Sequence, residues 1–291
     1  MGFANEGKLQ NPPSPEQQIA LQGDFVDFKP LGNTGAQIPE IGLGTSRYHG
    51  GSEPLRRGVA LGAFIDTAEM YRTEGVVGAA LESIRDQVFI ATKVLPGNLR
   101  YRDLMQAAER SLNLLRTDYI DLYQLHYPNS RIPIAETMGA MEELVDRGRV
   151  RHIGVSNFSV NDMESAIAVM RKHPVVSNQV RYSLTHRSIE RELLPFCQSH
   201  EITVIAHTPL DRGGLTSQPM LRRKEAMSVL SGIAAETGKT LAQVALNWCL
   251  SRPYVVAIPK SNRVEGVVED CGASGWSLSI DQVDALDRAF S

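Results

Sequence analysis

The sequence predicts an α/β chain folded as a single (β/α)8 TIM barrel with an N-terminal β-hairpin cap. Three observations lead there: eight short apolar runs alternate with longer segments of helical period, no composition break divides the 291 residues, and nearly every run ends in a polar group. A doubly wound open sheet is the alternative that periodicity alone leaves open.

In chain order, residues 1–24 are polar, carry Pro12, Pro13 and Pro15, and offer little apolar surface to offset ordering entropy. A flexible N-terminal tail is expected there, with the barrel over 25–291. The tail lacks the apolar stretch of a secretory signal, which points to a cytoplasmic location. Two alternating runs, Phe25-Val26-Asp27-Phe28-Lys29 and Ala36-Gln37-Ile38, flank the turn-rich Gly32-Asn33-Thr34-Gly35 and read as the hairpin. The strand-like runs that follow are Glu40 to Gly44, Ala63 to Asp66, Val88 to Lys93, Ile120 to His126, Val150 to Ser156, Val175 to Val180, Ile202 to His207 and Tyr254 to Ile258.

Between the runs, Ile134, Met138, Met141 and Val145 recur at helical spacing, as do Met163, Ala166, Ile167 and Met170, then Ile189, Leu193 and Phe196. Ser159 with Asp162 three residues on marks a helix start, and Gly148 marks a helix stop. The interval from Ile202 to Tyr254 holds two helical segments, Lys224 to Thr237 and Leu241 to Ser251, so one barrel unit carries an insertion. A last helix spans Asp281 to Phe290.

Composition excludes several classes of function. With 42% hydrophobic and 22% charged residues the chain is ordinary globular material, and size scaling lets it bury about three-quarters of its unfolded surface. Thirty Lys and Arg against thirty-three Asp and Glu leave a net charge of −3 with no basic block, which argues against nucleic acid. No apolar run approaches the ~20 residues of a membrane helix. Cys197, Cys249 and Cys271 are odd in number and lack metal-ligand spacing, so they read as reduced thiols, without disulfide or zinc. No G-x-G-x-x-G, phosphate loop, His-Glu-x-x-His helix or Gly-x-Ser-x-Gly elbow occurs.

The run ends carry the chemistry: Asp66, Lys93, His126, Ser156-Asn157, Gln179, His207 and Lys260 close seven of the eight. Any one of these alone is an ordinary boundary residue. In a barrel, however, strand ends converge on one face, where the loops vary while the strands hold their ends rigid. Asp66, Tyr71, Lys93 and His126 then form a set suited to proton transfer onto a carbonyl oxygen. An ammonium beside a phenol favours phenolate, so Lys93 is expected to pull the Tyr71 pKa down from about 10. Asp66 would orient Lys93, His126 would polarise the carbonyl, and Tyr71 would act as general acid.

At these residues the chain resembles the aldo-keto reductase superfamily. Asp66-Thr67-Ala68-Glu69-Met70-Tyr71, Thr92-Lys93, Asp121-Leu122-Tyr123-Gln124-Leu125-His126, Gly154-Val155-Ser156-Asn157-Phe158, Asn178-Gln179-Val180 and Ile258-Pro259-Lys260-Ser261 look like its signature blocks in order. The resemblance runs from about Phe28 to the C-terminus. It implies a barrel closed at its bottom by the hairpin, and reversible hydride transfer between NADP(H) and an aldehyde or ketone. It implies Asp66, Tyr71, Lys93 and His126 as catalytic tetrad, and Ser156, Asn157 and Gln179 on the nicotinamide carboxamide. Lys260, Ser261 and Arg263 would grip the adenosine phosphate, with Thr45, Thr208 and Leu210 as further cofactor contacts. A small-molecule carbonyl compound is the implied partner, with neither nucleic acid nor membrane, in a monomer or weak oligomer.

The departures from the family pattern carry their own expectations. Where the family usually has an aromatic ring under the nicotinamide this chain has His207, whose titration near its ordinary pKa of about 6.5 would make cofactor binding pH-dependent. Ser46 and Tyr127 stand where many relatives have Trp, and Gly266 stands where an Arg near the adenine is common. The chain ends at Ser291, soon after its last helix, as in bacterial-type members with a short C-terminal loop, so an open pocket and small aldehydes or dicarbonyls are expected. Two rivals remain at this point: a Schiff-base lyase or aldolase using Lys93, and a non-catalytic cofactor-binding regulatory protein.

Overall fold

The computed structural model describes residues 26–216 and 223–291, and the expected tail over 1–24 lies outside the described residues. Strands β1 (Phe28–Pro30) and β2 (Gln37–Pro39) pair antiparallel, as the turn-rich link between them demands. Thr34 closes that turn, its hydroxyl donating to the Leu31 carbonyl at 2.7 Å and accepting from the Ala36 amide at 3.1 Å.

The hairpin acts as a plug. Leu31 and Ile38 are fully buried against Phe64, Ala91, Leu122, Val176, Ile205 and Val256, which fill the lower barrel. Its backbone polar groups are met as well: Thr203 accepts from the Gly32 amide and donates to the Pro30 carbonyl, each at 2.8 Å.

Eight parallel strands follow: β3 (Gly42–Gly44), β4 (Phe64–Asp66), β5 (Ile90–Val94), β6 (Ile120–Leu125), β7 (Val150–Ser156), β8 (Val175–Arg181), β9 (Thr203–His207) and β10 (Val255–Ile258), each beside its sequence neighbour. The barrel closes where Ile41 bridges Ala257 and the Gly44 amide donates to the Pro259 carbonyl at 2.8 Å. Every predicted apolar run overlaps one of these strands, with β5 and β8 each extending one residue beyond theirs, to Val94 and Arg181.

Among the described residues the α-helices are α1 (Ser52–Ala60), α2 (Glu74–Leu81), α3 (Tyr101–Leu115), α4 (Ile134–Asp146), α5 (Val160–Val169), α6 (Leu193–Ser199), α7 (Lys224–Thr237), α8 (Leu241–Leu250), α9 (Val264–Cys271) and α10 (Ile280–Ala289). Ser159 and Asp162 form a reciprocal capping box at the start of α5, and Gly148 adopts φ 69° just past α4. The helix expected from Ile189 to Phe196 is interrupted, because a short 3₁₀ turn, Ser188–Glu190, precedes α6. Pro195 explains the break: proline lacks an amide donor and is accommodated only in a first turn, so the helix restarts just before it.

Asp287 anchors α10 to the barrel. It accepts from the Trp248 indole at 2.9 Å, from Arg252 at 2.6 and 2.7 Å, and it pairs with Arg187 at 3.1 Å. Both guanidinium groups also lie over the Trp248 ring, 5.3 and 5.1 Å from its centre. All three cysteines are free and buried. Among the described residues no helix is long and apolar enough to cross a membrane.

Candidate active site

The two-residue period of the strands builds the site. Phe64, Ala91, Leu122 and Ile205 face the barrel axis in the apolar plug. Two residues further along the same strands stand Asp66, Lys93, Gln124 and His207, on the same face and near the C-terminal rim. The lining therefore switches from hydrocarbon to polar groups within one step of the pleat. Lys93 lies beside Gln124 in register, and Gln124 beside Gly154. A Cβ at Gly154 would come within 3.0 Å of the Gln124 side chain and 2.4 Å of the Ser177 hydroxyl, so only glycine leaves Gln124 its place.

Lys93 is fully buried and donates to Asp66 Oδ1 at 2.5 Å and to the Thr67 carbonyl at 2.9 Å. Its ammonium lies 4.9 Å from the centre of the Tyr71 ring, and the Tyr71 and His126 rings meet edge to face, 5.4 Å between centres. Burial disfavours the Lys93 charge, but Asp66 and then Tyr71 more than reverse that, and the pKa rises above its ordinary value. Burial drives the His126 pKa down to about 3, with Lys93 and His207 adding to the effect.

The expectation for Tyr71 needs correction. Lys93 does pull its pKa down, but desolvation of the phenolate is the larger effect and Asp66 reinforces it, so the net shift is upward. Tyr71 remains a protonated phenol. It sits at the end of the 3₁₀ turn Glu69–Tyr71, which Glu69 fastens to the next loop by accepting from the Leu95 amide at 2.9 Å and the Asn98 carboxamide at 2.8 Å.

The other predicted residues fall into two groups. Ser156 donates to the Gln179 carbonyl at 2.8 Å, Asn157 donates to the His126 carbonyl at 3.0 Å, and Gln179 donates to Asp66 Oδ2 at 2.8 Å. His207 lies 3.0 Å from the Thr208 hydroxyl and 3.5 Å from Asn157 Oδ1. Asn157 and Thr208 both take left-handed backbone conformations, φ 61° and 57°, a strain that concentrates at working sites. Leu210 instead packs against the main apolar core. Thr45 commits its hydroxyl to the Asp66 carbonyl at 3.1 Å and to Thr73 at 3.0 Å.

The second group is at the N-terminus of α9. Lys260 and Arg263 are exposed, and the Ser261 hydroxyl accepts from the Arg263 amide at 3.2 Å. A Cβ at Gly266 would lie 2.3 Å from that hydroxyl, so the glycine is the condition for Ser261 to fold onto the helix end. The expected titration of His207 near 6.5 is corrected too. Burial, followed by Lys93 and Arg181, lowers its pKa to about 4.

Sequence reasoning missed Gln124, which lies 3.4 Å from both Asp66 and Gln179, and Glu74, which bonds Thr92 at 2.6 Å. The signal for Gln124 was present. It stands two residues before His126 in an apolar strand and so shares its face. Glu74 has no such signal, because its partner is on another element.

Residues 40–290 match the Aldo/keto reductase family. Methylglyoxal reductase YeaE of Escherichia coli (strain K12) is 37% identical over 264 residues, spanning 87% of this chain and 91% of the relative. Glyoxal reductase of Bacillus subtilis (strain 168) is 33% identical, spanning 88% and 91%. Among solved structures, an aldo-keto reductase from Klebsiella pneumoniae in complex with NADPH superposes with a TM-score of 0.83 at 36% identity, covering 91% of this chain and 95% of that one. With a match over nearly the whole barrel, and with relatives this similar over most of both lengths, the chain belongs to the aldo/keto reductase family.

Proposed function

We propose that this protein uses NADPH to reduce small reactive aldehydes, 2-oxoaldehydes foremost, to alcohols, with Tyr71 delivering the proton. The observation that carries the reading is the buried Lys93–Asp66 pair at 2.5 Å beneath a protonated Tyr71. The names of two relatives, a methylglyoxal reductase and a glyoxal reductase, support the substrate class. An NADPH-bound neighbour supports the cofactor.

The residues present fit such a cofactor. A nicotinamide carboxamide needs both donors and acceptors, and the Ser156, Asn157 and Gln179 side chains supply both at one place on the rim. His207 and Thr208 would border the ring, and Thr45 and Leu210 would shape the cleft beside it. Lys260, Ser261 and Arg263 offer two cations and a hydroxyl at the positive end of a helix, the chemistry a 2′-phosphate requires. When bound, the cofactor supplies the hydride that the carbonyl carbon receives.

The chain's own part is to bind the oxygen and give it a proton. His126, neutral across the physiological range, can donate a hydrogen bond to the carbonyl without adding charge. As negative charge develops on that oxygen, Tyr71 transfers its proton, and the Lys93 ammonium 4.9 Å from the ring stabilises the resulting phenolate. Asp66 holds Lys93 charged. A charged amine is no nucleophile, which weighs against the Schiff-base reading.

The test is NADPH oxidation on mixing with methylglyoxal, a simple alkyl aldehyde and a simple ketone. Turnover fastest on methylglyoxal is expected. Cofactor binding with no turnover on any of the three would favour the regulatory reading, and a borohydride-trapped adduct on Lys93 the lyase.

A further inference from the structure

Thr92 and Lys93 are neighbours on β5 that face opposite ways. Lys93 points into the barrel at Asp66, and Thr92 points out, where its hydroxyl donates to Glu74 Oε1 at 2.6 Å. Glu74 is the first residue of α2 and comes three residues after Tyr71. All of these side chains except the Tyr71 ring are buried, Glu74 at 1% exposure and Thr92 at 0%.

The link between Tyr71 and Glu74 has no slack. Arg72 is left-handed at φ 57°, and the Thr73 hydroxyl lies 3.0 Å from those of both Thr45 and Thr67. Thr67 in turn follows Asp66. Asp66, Tyr71 and Lys93 are thus each one to three residues from a buried tie.

We infer that Glu74, acting through Thr92, is a positioning residue for the Tyr71–Lys93 pair, tying the strand that carries the ammonium to the turn that carries the phenol. The inference rests on the reductase reading for its kinetic consequence. Two further observations separate it from ordinary packing. A carboxyl is a costly way to fill a helix–sheet layer, since burial disfavours its charge and an aliphatic side chain would pack there without that penalty. The layer is also polar beyond this one pair: the fully buried Ser111 hydroxyl lies against both Glu74 and the buried Tyr123 phenol. The charges facing Glu74 are Lys93 across the sheet and Glu69 on its own loop. Those facing Tyr71 are Lys93 and Asp66, with Tyr127 beyond and His126 at its edge.

Three variants test the tie. Thr92→Val removes the donor and should lower kcat about tenfold or more, with KM and the NADPH dissociation constant within about twofold, because small misplacements of reacting groups act on the chemical step. Thr92→Ser restores the donor and should restore kcat. Glu74→Gln keeps an acceptor and removes a negative charge behind Lys93, so the phenolate becomes easier to form and the alkaline limb of the kcat profile for alcohol oxidation should move to lower pH. The same shift should appear in the ultraviolet titration of Tyr71, obtained as the difference between each protein and its Tyr71→Phe derivative. A folded Thr92→Val with unchanged kcat, or a Glu74→Gln whose Tyr71 titration stays in place, overturns the inference, even if both melt at lower temperature. If Thr92→Val does not fold, Glu74→Gln and Thr92→Ser decide it. A wild type inactive on every carbonyl would sink the reductase reading instead, and the optical titration would still test the tie.

Discussion

Tyr71 meets His126 edge to face, with ring planes at 86° and centres 5.4 Å apart. Two candidate proton donors therefore border the same space. Only one can act as the acid, since the His126 imidazole titrates at about 3 and carries no extra proton at neutral pH. Tyr71→Phe should accordingly lose about 10² to 10⁴-fold in carbonyl reduction while cofactor affinity stays unchanged. Steady-state turnover beside a fluorescence titration of NADPH measures both. Near wild-type reduction by the variant would transfer the acid role elsewhere.

The raised phenol pKa has a directional consequence. With Tyr71 in the proposed role, reduction would use the protonated phenol and should hold its rate through the alkaline range, whereas alcohol oxidation would use phenolate and should climb with pH up to and beyond the ordinary tyrosine value. Initial rates in both directions on one substrate pair, measured from neutral to strongly alkaline pH, check this. An oxidation rate that levels off near neutrality would contradict it.

Lys260 and Arg263 are exposed cations at the start of α9. Replacing either with Ala should weaken NADPH roughly tenfold, the scale of one charge-assisted hydrogen bond, and leave NADH nearly untouched. Calorimetric titration of both cofactors against both variants is the measurement. Equal losses for the two cofactors would mean that neither residue reads the 2′-phosphate.

His207 should not behave as a sensor at physiological pH. Its pKa of about 4 leaves it neutral from pH ~6 to ~8, so oxidised and reduced cofactor should show parallel pH dependence over that window. His207→Tyr should tighten both by up to ~1 kcal/mol through added ring area. Titrations in which NADP⁺ alone weakens toward pH ~6 would restore the charged-histidine view.

Asp270 is 4% exposed on α9, and burial, with Glu269 adding, raises its pKa to about 8. An unfolded aspartate ionises near pH 3.8, so from there to about pH 8 the unfolded chain releases a proton that the folded one keeps. The folded state then loses stability as pH rises through that window, by at most ~1.4 kcal/mol per unit. Asp270→Asn removes the dependence. Its melting temperature should gain on the wild type between pH ~5 and ~8 and run parallel above; a constant difference would show that Asp270 keeps its charge when folded.

Much of this molecule can be read before folding, because strands need short apolar runs and a barrel brings their ends together. Asp66, Lys93 and His126 were legible for that reason, each terminating a run whose earlier residues are plainly core. What escaped depends on depth and on approach between distant segments. The sign of the Tyr71 shift turns on how far the phenolate is desolvated, which no spacing encodes. Gly266 reads in one dimension as a missing cation, yet in the fold it is where the Ser261 hydroxyl rests. The Thr45–Thr73–Thr67 contacts join three loops, and threonine at a loop start is too common to signal them. Pro195 could have announced the break before α6, but the apolar spacing across it masked the interruption.

The clamp around Trp248 makes the last helix optically visible. The chain has two tryptophans, and this one is fully buried, is hydrogen-bonded to Asp287 of α10 and lies close to both the Arg187 and Arg252 guanidinium groups. When α10 lifts away, the indole loses its acceptor and both cations lose the carboxylate that holds them over the ring. If α10 detaches before the barrel unfolds, emission from Trp248 should change at lower denaturant than the far-ultraviolet signal, and coincident transitions would show that the two unfold together. An experimenter can watch the C-terminal end fray in the intact protein, without attaching any label.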